Sequence, residues 1–209
     1  SATETATPTV TDTPTETPTS TITETPTITL TPTEDVPDVL VTVNQAFCRY
    51  GPGTAYLYSH GLYEGDHATV DGRNYSGSWL WIQPDNLDRH CWSAASNFEI
   101  EGDISSVPVV NTLLPKSTLY GPPTNVRTRR DGSEVTITWD AVWMTEDDYR
   151  GYLIEASVCQ NGILVGIAVH VDGTSYTITD EQNCAGESGG ILYTVEKHGY
   201  TDPVAIPWP

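Results

Sequence analysis

Cationic residues are scarce in this sequence. Nine lysines and arginines stand against 28 aspartates and glutamates, which gives a formal net charge of −19, and no basic residue precedes Arg49. Nucleic acids and anionic membrane surfaces attract proteins through clusters of positive charge, so neither is expected as a partner. A run of about 18 apolar residues is also lacking, which argues against membrane insertion through a transmembrane helix.

The histidine motifs of catalytic metal sites are absent too. Five histidines are scattered along the chain, and none belongs to an H-x-x-x-H or H-E-x-x-H pattern. No glycine-rich phosphate loop occurs. We therefore predict that the protein is not an enzyme and binds no cofactor. The short acidic run of residues 146–148 is interpreted as a solvated loop without a metal, the alternative being a calcium site completed by a distant ligand.

The cysteines indicate export. Of the four, Cys48 and Cys91 fall in one predicted domain and Cys159 and Cys184 in the next, and no C-x-x-C pair suggests zinc. Four cysteines allow three pairings, of which pairing within each domain is the simplest. Disulfides imply an oxidising, extracellular setting. The chain also opens on Ser1 without a visible signal peptide, so we expect a mature, processed product.

The most regular stretch is the first 35 residues, where every odd position from 3 to 33 is threonine and all five prolines occupy even positions. The threonines are Thr3, Thr5, Thr7, Thr9, Thr11, Thr13, Thr15, Thr17, Thr19, Thr21, Thr23, Thr25, Thr27, Thr29, Thr31 and Thr33. In an extended strand all of them line one face. Backbone N–H groups alternate between edges, so the donors missing at proline all fall on one edge. Residues 1–35 are therefore predicted to form an extended tail with one pairable edge.

Composition supports a second interpretation of the tail. Acidic, aromatic-free sequence rich in threonine and proline is typical of a disordered, mucin-like stalk that carries O-linked glycans. The tail threonines are the best glycosylation candidates by number and exposure, ahead of the single N-linked acceptor motif that begins at Asn74. The tail is thus a paired strand, a glycan-coated stalk, or both.

Residues 36–103 are predicted to form short strands broken by glycine turns. Three motifs follow one another: CRYGPGTAY at 48–56, WLWI at 79–82 and CWSAASNF at 91–98. Together they resemble the bacterial SH3-type (SH3b) domain. The resemblance implies a small, twisted barrel of five or six strands, with Cys48 and Cys91 bonded between its first and last parts. Members often bind cell-wall peptides or glycans, or act as spacers.

Residues 122–209 show strand-like alternation with a hairpin signal at Asn161–Gly162. The segment resembles a fibronectin type III domain, with Trp139, Tyr152 and Tyr193 in place of that family's characteristic aromatic residues. The resemblance implies a seven-stranded sandwich. A Cys159–Cys184 bridge is not a general feature of the family, so this pairing is inferred from the sequence alone.

The predicted fold class is all-β: an SH3-like barrel, a fibronectin type III-like sandwich and an extended N-terminal tail. Residues 104–121 are predicted to be a linker, apolar enough to pack along one of its neighbours. A barrel of this size cannot bury all of its aromatic residues, so we predict an exposed patch for sugar or protein contacts, with ordinary rim packing as the alternative. The patch residues are Tyr50, Tyr56, Tyr58, Tyr63, Trp79, Trp81 and Trp92.

These observations lead to a functional hypothesis. The protein is expected to be a secreted, non-catalytic structural glycoprotein from a bacterium, whose tail runs along neighbouring subunits and builds an extracellular filament or sheath by β-augmentation. Its partners would be other copies of the same chain and covalent glycans. The alternative is a cell-surface binding protein whose SH3-like domain binds cell wall or glycan, with the tail as a glycosylated spacer.

Overall fold

The computed structural model describes residues 1–3 and 36–209. Thr3 is described and exposed, whereas the tail threonines from Thr5 to Thr33 and the predicted one-edge strand lie outside the described residues. The described part is all-β, as predicted, with one 3-10 turn at Ala95–Asn97. No described segment forms a helix long and apolar enough to cross a membrane. Residues Asp35–Pro209 form one compact unit.

The first seven strands form one antiparallel sheet in the order β3-β2-β6-β5-β4-β1-β7. The strands are β1 (Asp38–Val41), β2 (Gln45–Arg49), β3 (Tyr58–Tyr63), β4 (His67–Arg73), β5 (Trp79–Pro84), β6 (Cys91–Ala94) and β7 (Phe98–Glu101). Every one of them contributes buried side chains to a single core, so the sheet curls around its own inner face as a half-barrel. "The half-barrel" below means residues Asp38–Glu101.

Period-2 alternation produces this core. Along β5, Leu80 and Ile82 are fully buried whereas Trp79 and Trp81 on the opposite face are half-buried. The Cys48–Cys91 disulfide lies within the core and ties β2 to β6, with Cα atoms 5.3 Å apart. The sheet has seven strands rather than five or six, partly because residues 58–63, which show no apolar alternation, also pair along β2.

The remaining strands form two sheets, of order β12-β9-β8 and β11-β10-β13-β14, with β15 also paired to β13. They are β8 (Thr124–Asp131), β9 (Glu134–Asp140), β10 (Tyr149–Gln160), β11 (Ile163–Val171), β12 (Ser175–Thr179), β13 (Gly189–Glu196), β14 (Gly199–Tyr200) and β15 (Val204–Ala205). "The two-sheet lobe" below means residues Thr124–Ala205. Eight strands are present instead of seven because the last segment is divided between β14 and β15.

One core fills the space between the two sheets. Val135, Ile137 and Trp139 from β9 are buried on one face, as their alternation predicts, and meet Tyr152 and Ile154 from β10. The Trp139 and Tyr152 rings pack edge to face at 5.2 Å. The second disulfide, Cys159–Cys184, joins the end of β10 to the segment before β13, with Cα atoms 5.7 Å apart.

The half-barrel and the two-sheet lobe share a third buried cluster, formed by Tyr56, Leu153, Val195 and Tyr200. The Leu57 N–H donates to the Tyr200 hydroxyl at 2.7 Å. Tyr56 reaches the cluster because the loop before it folds tightly under its ring: a Cβ at Gly51 would lie 2.3 Å from that ring. The lobes are therefore packed on each other.

Residues 104–121 contact both lobes rather than one. The Val110 N–H donates to the Arg73 carbonyl at 3.1 Å, which attaches the segment to β4 of the half-barrel. The Tyr200 N–H donates to the Pro115 carbonyl at 2.9 Å, and the Ser117 N–H donates back to the Tyr200 carbonyl at 2.8 Å. These backbone bonds leave the linker little freedom to act as a hinge.

Candidate functional site

The longest open sheet edge in the described part of the chain belongs to β11. This strand pairs with β10 over nine residues without a register shift, and no described strand pairs with its other side. It contains no proline and no charged side chain before His170. An open edge that is long, regular and apolar is a ready template for an added strand.

The hairpin geometry determines which backbone groups of β11 point outward. Asn161 and Gly162 have φ of 53° and 78°, as in a type I′ turn. Such a turn is closed by a hydrogen-bonded pair, here Gln160 and Ile163, and bonding alternates from there along the ladder. Odd-numbered residues therefore bond to β10, while the N–H and C=O groups of even-numbered residues face the open side. These are Leu164, Gly166, Ala168 and His170.

The edge of β8 in the other sheet is protected. Its register shifts near Asn125, which has a φ of 51°. Arg127 and Arg129 place exposed positive charge along it. The C-terminal segment crosses it, because the Thr128 hydroxyl donates to the Pro207 carbonyl. A bulge, charge and a covering segment are the usual devices that block strand addition, and the described residues place none of them at the β11 edge.

A groove of about 990 Å³ lies beside the β11 edge. Its floor is the outer face of the sheet, where Ser157 is paired with Gly166 on one side and Gly189 on the other. A Cβ added at either glycine would meet nothing within 4 Å, so the space above this floor is open. Tyr75, in the turn between β4 and β5, stands at the wall with 90% of its surface exposed.

Glu155 also lines the groove. It accepts hydrogen bonds from the Tyr56 hydroxyl at 2.6 Å and from the Tyr193 hydroxyl at 3.0 Å. Burial, reinforced by this carboxylate, raises the pKa of both tyrosines, so both stay protonated and continue to donate. The site thus offers backbone groups, hydroxyls, one carboxylate and apolar surface, a set suited to binding polypeptide or sugar.

The structure separates the predicted aromatic patch. Trp92 is fully buried and Tyr56 is only 7% exposed, so neither is available to a ligand. Trp92 lies on the face opposite Cys91, but residues 110–114 cover it, and its indole N–H donates to Thr112 at 2.8 Å. Tyr50 is half-buried against the cluster that the lobes share.

The other four patch residues are accessible but do not form one surface. Tyr58 and Tyr63 are 49% and 59% exposed on β3, at the edge of the sheet. Trp79 and Trp81 are half-buried on β5, which is separated from β3 by the two strands β2 and β6. The Trp81 ring stacks on His90 with centroids 5.3 Å apart. The predicted patch does not include Tyr75. Its flanking residues, Asn74 and Ser76, are typical of an exposed turn and could have indicated that its ring is accessible.

Within residues 1–3 and 36–209, two groups of side chains have the composition of metal ligands. One is Cys48, His60 and Cys91, whose cysteines are already joined in a disulfide. The other combines a residue of the acidic run, Asp148, with Glu196 and His198. The strand pairing that unites this second group was not visible in the sequence.

Comparison with known proteins identified no relative: no family model and no curated protein matches this chain.

Proposed function

We propose that this protein is a secreted, non-catalytic structural subunit that assembles head to tail by strand donation. The N-terminal tail of one copy adds to the open edge of β11 in the next copy. The observation that carries the proposal is the match between a long, unprotected edge and a tail whose prolines all fall on one side. Backbone hydrogen bonds would supply the affinity, and repetition of a head-to-tail contact gives an open fibre.

Antiparallel pairing of the tail with β11 would bring compatible backbone groups and side chains together. Threonine N–H and C=O groups, which occupy the edge without prolines, face the outward groups of β11. Hydrogen-bonded partners in a ladder have their side chains on the same face. The threonines then lie on the outer face above Gly166, where there is room for an attached glycan. Ile28 and Leu30 fall on the inner face beside Val165 and Ile167, which pack against the lobe core.

A pair of tail variants tests the edge assignment. Thr29→Pro removes a donor from the pairing edge, whereas Leu30→Pro adds a proline to the edge that already carries them. We expect Thr29→Pro to reduce filament formation strongly and Leu30→Pro to have the smaller effect, scored by negative-stain electron microscopy of the purified full chain. Equal filament formation by both variants would show that the tail does not pair through its threonine edge. Normal filaments after deletion of residues 1–35 would refute the tail's role altogether.

A second pair of variants tests the receiving edge. Gly166→Pro removes an outward N–H and keeps the β10 ladder, because proline is tolerated on an open edge. Gly166→Ala keeps that N–H, and the added methyl group meets open space. Assembly should be lost in Gly166→Pro and retained in Gly166→Ala. Assembly retained in both, with folding shown by circular dichroism, would place the contact elsewhere.

The family resemblances remain part of the proposal. Residues 36–103 are assigned as an SH3b-like barrel, supported by a small, highly curved antiparallel sheet with a disulfide between its early and late strands. Residues 122–209 are assigned as fibronectin type III-like, supported by three- and five-stranded sheets around one core. The disulfides support an oxidising, extracellular location for the subunit. O-linked glycans on the tail would shield the fibre surface.

The groove favours a second candidate, glycan binding at the cell surface. Exposed tyrosine over a flat floor, with a carboxylate and hydroxyl groups nearby, resembles the chemistry that contacts sugars. Tyr75→Ala should then abolish retention on purified cell wall, while Tyr63→Ala, at another exposed tyrosine that does not line the groove, should not. Wall retention without self-assembly would favour this candidate over the structural one.

A further inference from the structure

Three potential metal ligands meet at one end of the two-sheet lobe. Asp148, Glu196 and His198 each offer one ligand atom, and these atoms all lie within 4.8 Å of one another. The β10–β13 ladder brings them together, because Tyr149 pairs with Glu196 and the Lys197 N–H donates to the Asp148 carbonyl at 3.0 Å. Glu196 lies on β13, and Asp148 and His198 lie in turns within two residues of the paired strands, which hold them more precisely than a free loop would.

Glu196 provides an independent indication of a missing partner. The side chain is completely buried. Its Oε2 atom accepts a hydrogen bond from the backbone N–H of His198 at 2.9 Å. The Oε1 atom is buried without any hydrogen-bond partner among the described residues. A buried carboxylate oxygen with nothing to bond is costly, and a cation is the partner that such an oxygen accepts most readily.

We propose that Asp148, Glu196 and His198 form a binding site for a divalent transition metal of the zinc class. Two carboxylate oxygens and one imidazole nitrogen are ligands that Zn²⁺ accepts at an open tetrahedral site. The imidazole disfavours Ca²⁺ and Mg²⁺, which select oxygen ligands. The calcium interpretation of the acidic run therefore changes in two respects: only Asp148 of that run takes part, and the metal is a softer one.

The groups around Asp148 fit a ligand role. The Tyr120 and Thr145 hydroxyls both donate to its Oδ2 atom, at 2.6 and 2.9 Å, and so fix its orientation. Such outer partners orient metal-binding carboxylates. The Lys197 ammonium lies 2.8 Å from the Oδ1 atom and also contacts Asp147. Lys197 is therefore the cation that a metal must displace. This competition lowers the metal affinity below that of the same three ligands without a neighbouring lysine.

The site would connect the start of β10 to the turn before β14, which carries Tyr200 of the shared cluster. Metal binding to the folded chain alone raises its stability by mass action. The inference concerns the lobe itself and does not depend on tail-mediated assembly, so the tail deletion that prevents assembly leaves it testable.

The test is calorimetric titration of the full chain with ZnCl₂ alone, with CaCl₂ as the comparison. We expect one saturable site for Zn²⁺ and a rise in the melting temperature. His198→Ala, at an exposed residue, should weaken binding by about 10–100-fold. Lys197→Met should tighten it about tenfold, since it removes a like charge a few ångströms from the metal. A purely structural role for these residues predicts no such gain.

Two further variants complete the experiment. Glu196→Gln keeps the size of the buried side chain and an acceptor for the His198 N–H, and it should weaken binding as His198→Ala does. His67→Ala, an exposed histidine of the half-barrel, should leave affinity unchanged. The proposal is overturned if Zn²⁺ shows no saturable binding, if His198→Ala leaves the affinity unchanged, or if Lys197→Met fails to increase affinity.

Discussion

The hydroxyl of Tyr56 gives the most direct test of whether the half-barrel and the two-sheet lobe act as one body. The side chain belongs to the half-barrel, and its hydroxyl donates to Glu155 of the two-sheet lobe at 2.6 Å. Tyr56→Phe removes this bond and keeps the ring in the shared cluster. The substitution therefore changes one polar contact across the junction and little else.

The size of the effect follows from the contact. A hydrogen bond to a charged acceptor contributes about 1.5–3 kcal/mol net to the free energy of unfolding. Glu155 keeps its bond from Tyr193, so we expect a loss in the lower part of that range, about 1.5–2 kcal/mol. For a unit of this size each kcal/mol lowers the melting temperature by about 2–4 °C, which gives a decrease of about 3–8 °C.

Differential scanning calorimetry measures the loss of stability in Tyr56→Phe, and amide hydrogen exchange shows whether both lobes share it. One cooperative body gives a single transition with equal calorimetric and van't Hoff enthalpies. Slowly exchanging amides in β4 and in β10 report the two lobes separately, and Tyr56→Phe should lower protection equally in both. Tyr63→Phe serves as the control, because Tyr63 is 59% exposed and its hydroxyl has no hydrogen bond among the described residues.

Two outcomes would refute the reasoning. The first is two separate unfolding transitions in the unmodified protein, because lobes that unfold independently are not both destabilised by one substitution. The second is a loss of protection confined to β4, with exchange in β10 unchanged. Either result would mean that the contacts of Tyr56 hold a loop in place without coupling the lobes.

Three other predictions follow. Asp180→Asn should cost about 3 kcal/mol at neutral pH, measured by urea unfolding, because it leaves the partly buried Arg130 guanidinium without its charged partner. Burial alone would raise the pKa of Asp180, but bonds from Ser188, Trp208, the Cys159 N–H and Arg130 together outweigh it and hold the pKa at about 2. Its contribution should therefore be complete above about pH 4 and be lost as the pH falls towards 2, where the variant and the parent converge. Gly199→Ala should destabilise by about 1–3 kcal/mol, because its Cβ would lie 2.3 Å from the linker carbonyl, whereas Gly121→Ala should be nearly neutral in the same assay. Raising the salt concentration should promote assembly if the tail pairs with β11 and inhibit it if the acidic tail binds the arginines of β8, and light scattering distinguishes the two.

Local pattern was sufficient to predict much of the architecture. Alternation identified the buried face of β9, and the Asn161–Gly162 signal located the β10–β11 turn, where both residues have positive φ. Both disulfides join the pairs that lie close in sequence. The alternation and the turn depend on neighbouring residues, so a single sequence contains the information for them.

What could not be predicted depends on contacts between distant segments. Alternation shows that Trp92 and Cys91 lie on opposite faces, but not that the linker covers the tryptophan. Tyr56 sits in a turn, which usually indicates exposure, and is buried because a second lobe packs over it. Residues 58–63 alternate too little for a strand to be assigned and become one only because β2 offers them an edge.

The candidate site depends most strongly on such long-range information. An open edge is a property of the strand order, and no residue of β11 marks it as the last strand of its sheet. Likewise Asp148 and Glu196 are brought together by strand pairing across 48 positions of sequence. The tail, in contrast, shows its regularity directly in the sequence, but the sequence alone does not identify a partner for it.

The charge distribution supports strand donation as the proposed mode of assembly for this chain. Copies with a net charge of −19 repel one another, and the nine cationic residues are too few to build a contact from ion pairs. Several are already used within the unit, as Arg130 is by Asp180 and Lys197 by Asp147 and Asp148. The β11 edge is uncharged up to His170, so the proposed backbone bonds would form there without placing like charges in direct contact. A contact made from backbone groups and small apolar side chains is therefore the one that this composition opposes least.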